Sequence, residues 1–218
     1  MTTCAAVIDS EVAAVVRQTA RTLISLGHEV DEAEVDLTGL GPLFRIMVEA
    51  ESAAIEVDDP ASFSDPYSRW CYERGSKLTA KEYIRATEQM FRRSRAIVAQ
   101  SSKWDCLLTP TVTLTPQPLE KFLAVTEHVA EDDLAYIPFT YPFNITGQPA
   151  ISLPLGWSGH CLPIGVQLVG QPYGESLIIA LAAQLERTVS WQSRYPARPL
   201  SNDAAHGPWG HAASTGRA

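Results

Sequence analysis

This sequence predicts an α/β fold, a mixed β-sheet flanked by α-helices, and three observations carry that reading. Apolar residues recur at helical spacing through the first half of the chain. Three short apolar runs bounded by proline and glycine follow in the second half and read as buried strands. One further helical pattern, "GESLIIALAAQLE", comes after the last of them. Helices mixed with few, short strands form layers of α/β or α+β type.

The first helix has Ser10 as its cap, and Val12, Val15, Val16, Ala20, Leu23 and Leu26 recur near helical period until Gly27 stops it. "HEVDEAEVD" then predicts a short strand around Val30. Pro42 suits the first turn of a second helix, which "LFRIMVEAESAAIE" continues. Acids, serines and prolines break the pattern over residues 57–66, and a short helix over 67–74 ends at Gly75. Thr79 and Glu82 have the spacing of a capping box, in which the Thr hydroxyl and the Glu carboxylate satisfy orphan N–H groups reciprocally. The helix they open runs to about Gln100, with Ile84, Thr87, Met90, Phe91 and Ile97 as its buried stripe.

The character changes at Trp104. "WDCLLTPT" predicts a buried strand over 104–108, and residues 111–137 read as a long loop with at most a short helix near 131–134. "PAISLPLG" and "PIGVQLVG" predict strands at 149–155 and 163–169, joined by the glycine-containing "WSGHC" as a hairpin or as neighbours. Pro154 has no N–H to give to a ladder, so it belongs at a strand end or a bulge. Glu175 opens a helix with Leu177, Ile178, Leu181 and Leu185 on one stripe. Residues 1–196 thus read as one domain and 197–218, rich in Ala, Gly, Pro, Ser and His, as a flexible tail.

Composition excludes several functions. The formal net charge of −8 gives no basic footprint for nucleic acid, and Arg92, Arg93 and Arg95 read as a solvated helix face. "LIIALAAQL" is too short to span a bilayer, so no membrane partner is expected. Cys4, Cys71, Cys106 and Cys161 form no C-x-x-C pair and no secretory signal opens the chain, which points to reduced thiols in the cytoplasm. Asn144 opens a glycosylation sequon that means little without such a signal. His206, His211 and Asp203 do not supply the ligand pattern of a structural zinc site, and no metal is expected. Asp58, Asp59, Asp132 and Asp133 read as solvated loop acids. With neither a P-loop nor a dinucleotide fingerprint, no cofactor is expected.

Ser152 and Cys161 are the candidate nucleophiles. A hydrolase serine needs a base in reach and an oxyanion hole, and the sequence around Ser152, "A-I-S-L-P", lacks the glycines of the nucleophile elbow. His128 or His160, backed by Asp132 or Asp133, would have to approach it, and nothing in the spacing favours that. Cys161 adjoins His160, but neighbours on an extended chain point to opposite faces. The residues by themselves reveal no catalytic set.

"DCLLTPT", "FTYPFNITGQPAISLPLG", "LPIGVQLVG" and "GESLIIALAAQLE", in this order and at this spacing, resemble the C-terminal portion of the amidase signature family, and "EVAAVVRQTARTLISLGHEVDEAE" looks like the helix and strand that open it. The resemblance covers residues 9–196. It implies a fold that hydrolyses carboxylic amides with a Ser–cis-Ser–Lys triad set in a glycine- and serine-rich signature upstream of the matched part. No such run occurs here, and Lys77, Lys81, Lys103 and Lys121 lack the expected context, so no catalytic residue is carried over. The chain is therefore expected to be a truncated or split amidase, inactive alone, that supplies sheet and acyl-pocket wall. The resemblance implies a small-molecule amide as substrate of the complete enzyme. It also implies a partner chain carrying the N-terminal half, or self-association. It places Phe139, Thr140, Tyr141, Phe143 and Asn144 on the acyl side of the substrate, although each ring reads equally as core packing. Two rival readings remain: a non-catalytic binding or scaffold module, and a fragment of a tRNA-dependent amidotransferase A-type subunit.

Overall fold

The structure, a computed structural model, describes residues 7–57, 59, 63, 65–118 and 134–194. Four helices come first: α1 (Ser10–Ser25), α2 (Gly41–Ala53), α3 (Pro66–Gly75) and α4 (Ala80–Ser101). Strand β1 (Cys106–Pro110), the short helix α5 (Tyr141–Thr146), strands β2 (Ala150–Trp157) and β3 (Pro163–Gly170) and helix α6 (Glu175–Val189) follow. The strand order is β1-β3-β2, and both ladders are antiparallel. The expected hairpin forms, and its ladder shifts register between Pro154 and Gly156, a bulge at the predicted proline.

Side chains alternate across the sheet. On one face Leu153, Leu155, Val166 and Leu168 pack with Leu23 of α1 and Ala182 and Leu185 of α6. On the other, Leu107 and Val169 join Leu43, Met90, Ile97, Tyr141 and Phe143, which come from α2, α4 and α5. Helices thus cover both faces of a three-stranded sheet, the layering of an α/β fold.

Local chemistry explains where the structure departs from the sequence reading. Asp9, not Ser10, caps α1, its carboxylate accepting from the Glu11 N–H at 2.7 Å. No strand forms around Val30. The connection from α1 to α2 is instead held by side chains of α4: Gln100 Oε1 accepts from the Asp36 N–H at 2.8 Å, and Arg93 donates to the Thr38 carbonyl at 2.9 Å. The Asp36 carboxylate accepts from the Thr38 hydroxyl and N–H, which with the Arg93 charge hold its pKa below the usual carboxylate value. Val35, Leu37 and Leu40 point inward from this segment and are fully buried. The capping box on α4 forms as read, but the buried stripe runs through Ala86, Met90, Ile97 and Ser101. Ile84 and Phe91 lie off it, 55% and 61% exposed. On α6 the stripe is Ile178, Ala182 and Leu185, with Leu177 facing solvent. Residues 134–136 make one helical turn; 119–133 and the expected tail lie outside the described residues.

Helices α2 and α3 meet at Gly75, where an added Cβ would collide with the Glu49 carbonyl. Beside this contact the buried Glu49 carboxylate accepts from Arg74 Nε at 2.6 Å, and the Arg74 guanidinium lies 4.8 Å from the centre of the Trp70 ring. Gly75→Ala is expected to destabilise the protein by about 1–3 kcal/mol, because backbone has to move to admit the methyl group. Gly159→Ala, whose Cβ would meet nothing closer than 3.9 Å, should cost less than ~0.5 kcal/mol. Urea unfolding of both variants checks this, and equal midpoints would refute the packing argument.

Candidate functional site

The candidate site centres on the turn from Phe139 into α5. Pro142 sits in the first turn of that helix, where no backbone donor is needed, and Gly147, at φ 69°, ends it in the left-handed conformation. The structure brings the five sequence-predicted residues together and divides them. Phe139, Tyr141 and Phe143 are buried in the first core cluster, with the Tyr141 ring stacked on Phe44 at 5.1 Å between centroids. Thr140 is half-buried, its hydroxyl donating to the Ile137 carbonyl at 3.0 Å, and Asn144 is exposed. The outward polar side chains of this turn are therefore Thr140 and Asn144, with three rings anchoring it from behind.

A polar row of the sheet adjoins the turn. Thr109, Gln167 and Ser152 are cross-strand partners on β1, β3 and β2. Gln167 donates from Nε2 to the Thr109 hydroxyl at 3.0 Å and to the Phe139 carbonyl at 2.6 Å. At the β2 end of the row Ser152 Oγ lies 2.7 Å from Thr111 Oγ1, an exposed hydroxyl pair. Gly165 lies beneath them, where a Cβ would come within 2.8 Å of Thr111 Oγ1 and 3.0 Å of Ser152 Oγ. The floor next to the turn is thus small, hydroxyl-lined and open.

Two more glutamines stitch the sheet ends to α4. Gln148 donates to the Gly170 carbonyl at 2.9 Å and to Ser101 Oγ at 3.2 Å, leaving its buried Oε1 without a partner. Gln171 donates to the Ser101 and Trp104 carbonyls, both at 2.7 Å. Sequence reasoning passed over Gln167, although a lone amide inside the apolar run "PIGVQLVG" was a signal for it.

No activated nucleophile is assembled among the described residues. Ser152 has a neutral hydroxyl as its partner rather than a base. His160 and Cys161 sit exposed on the β2–β3 turn, Cys161 at φ 60°. Lys77, Lys81 and Lys103 are exposed around the ends of α3 and α4. Lys121, His128, Asp132, Asp133, Asp58, His206, His211, Asp203 and Cys4 lie outside the described residues. Among the described residues no group of His, Cys, Asp and Glu could hold a metal, and no helix is long and apolar enough to cross a membrane. Burial pushes the Cys106 thiol up to about 11, with the Asp105 charge adding to the rise and the Val169 backbone hydrogen bond opposing it.

Comparison with known proteins identifies the class. The family model described as Amidase matches residues 2–179. A 6-aminohexanoate-cyclic-dimer hydrolase of Pseudomonas sp. (strain NK87) is 33% identical over 209 residues, 87% of this chain and 42% of the relative. A putative amidase of Synechocystis sp. is 29% identical over 179 residues, 82% of this chain and 35% of the relative. A solved structure of a 6-aminohexanoate cyclic dimer hydrolase superposes with a TM-score of 0.77 at 27% identity, covering 87% of this chain and 44% of that one. The chain belongs to the amidase family, and it spans less than half the length of these relatives.

Burial decides how substitutions in the turn behave. Phe143→Ala is expected to cost about 3–5 kcal/mol and Asn144→Ala less than ~0.5 kcal/mol. Denaturant unfolding checks both, and a costly Asn144→Ala would place that side chain inside. The thiols give a second test. At about pH 8 a charged alkylating reagent should modify exposed Cys161 first and leave Cys106 protonated and unreacted in the native state. Mass spectrometry of the digested protein reads the order, and early labelling of Cys106 would contradict its burial.

Proposed function

We propose that the protein is an amidase hydrolysing a small-molecule carboxylic amide, in which this chain supplies sheet and acyl-pocket wall while residues it does not carry supply the nucleophile. The family match over residues 2–179 carries this reading. The relatives' greater length and the hydroxyl partner of Ser152 support the division of labour. In the complete enzyme a serine attacks the amide carbonyl, the amine leaves, and water hydrolyses the acyl-enzyme. Thr140 and Asn144, the outward side chains of the turn, are the polar groups we assign to the acyl side, with Phe139, Tyr141 and Phe143 fixing their position. The missing portion lies elsewhere on the polypeptide or on a partner chain. Cys106 and Cys161, which form no disulfide among the described residues, support a cytoplasmic setting.

The relatives' activity names the first substrate to try, 6-aminohexanoate cyclic dimer, whose ring amides are non-peptide carboxylic amides. The chain alone is expected to release no product from it, because the step needs an activated nucleophile. Co-expression with the complementary portion of the Pseudomonas relative is expected to restore turnover. Ring opening is followed by chromatography. Turnover by the chain alone that Ser152→Ala abolishes would overturn the proposal, as would a properly assembled pair that turns over no amide.

A further inference from the structure

We propose that Gln167 is the positioning residue of the acyl-pocket wall: its side-chain amide ties the Phe139–Asn144 turn to the central strand and so sets which acyl groups the enzyme accepts. The specificity half of this inference rests on the amidase reading; the positioning half stands on geometry. Gln167 is 5% exposed in the middle of β3, flanked by strands on both sides. A polar side chain there is costly to bury unless its hydrogen bonds are made. Its Nε2 makes two, at 2.6 Å to the Phe139 carbonyl and at 3.0 Å to the Thr109 hydroxyl.

The orientation of the amide follows from the partners. A carbonyl only accepts, so the group facing Phe139 O is the NH2. Phe139 O also has no place in the ladder of α5, because the first helical acceptor is the carbonyl of Thr140, which receives the Phe143 and Asn144 N–H groups. A buried carbonyl at a turn must find a donor outside the local backbone, and Gln167 is that donor. The turn has further ties: Thr140 bonds to Ile137, and the three rings pack in the core. These fix its shape, whereas the Gln167 bond fixes its height above the sheet, beside the open Ser152–Thr111 hydroxyl pair.

Two substitutions test it. Gln167→Met keeps the length and loses the donor. Thr109→Val removes one of the two acceptors and leaves Gln167 free to bond Phe139. Hydrogen exchange of the chain is read at the amides of 140–147 and at the β2–β3 ladder. Gln167→Met is expected to speed exchange in the turn about tenfold while the ladder keeps its protection, and Thr109→Val is expected to fall between it and the wild type. Uniform acceleration of turn and ladder, or no change in the turn, overturns positioning whatever the activity. Should Gln167→Met not fold, Gln167→Asn, which keeps the amide and shortens its reach to Phe139, decides by the same contrast between turn and ladder. In the reassembled enzyme, Gln167→Met is expected to flatten the preference in kcat/KM among acyl chain lengths, with leaving-amine preference unchanged. Loss of rate equal for every acyl group overturns the specificity claim, and if the positioning arm has held, it sinks the acyl-side assignment of the turn without touching the anchor.

Discussion

Strand β3 is hydrogen-bonded along both edges, and the rest of the structure depends on that placement. A central strand must serve two cores at once. Val166 and Leu168 face the cluster under α1 and α6, while Val169 faces the one under α4 and α5. Its register brings Gln167 opposite both Thr109 and Ser152, so one polar side chain sits at the crossing of all three strands. A slip of a single residue would exchange every inward side chain for an outward one. The bulge at Pro154 takes up the proline's missing donor on the edge strand and leaves the β3 side of the ladder otherwise regular.

From β3 outward the packing is made by apolar burial and the tethering by amides. Gln148, Gln167 and Gln171 each donate to backbone carbonyls at the ends or turns of elements distant in sequence. The Ser101 carbonyl also accepts from the Trp104 N–H at 3.0 Å, whereas the Phe139 carbonyl depends on Gln167, and burying such a group unpaired would cost about 1–3 kcal/mol. The α2–α3 pair hangs further out, joined through Gly75 and the Glu49–Arg74 ion pair. The Phe139–Asn144 turn sits between these layers, anchored behind by rings and beneath by an amide.

Much of this was legible in the sequence for local reasons. The capping box of Thr79 and Glu82, the hairpin and the irregularity at Pro154 follow from residue chemistry within a few positions, and the structure shows all of them. The phase of the α4 stripe was not legible, because Ile84 and Phe91 are as apolar as Met90 and only tertiary contact tells them apart. The hold on the α1–α2 connection was not legible either: Arg93 and Gln100, far along the chain, bond the backbone at Thr38 and Asp36. The Phe139–Asn144 turn was found through family resemblance. Its division into buried rings and outward Thr140 and Asn144 needed coordinates.

The helices leave apolar surface uncovered. Ile84, Phe91 and Ile179 are more than half exposed, and Tyr173, at φ 64°, is 96% exposed. Both outer strands, β1 and β2, also keep one edge without a partner among the described residues. Unpaired edges and apolar patches mark surfaces that another chain or segment covers. If this chain is one portion of a larger amidase fold, it should behave as an incomplete body in solution. Size-exclusion chromatography with light scattering, followed by hydrophobic-dye binding during a thermal melt, measures that most directly. The account expects self-association or strong dye binding that falls away once the complementary amidase portion is added. A sharply melting, dye-silent monomer that ignores the added portion would contradict it.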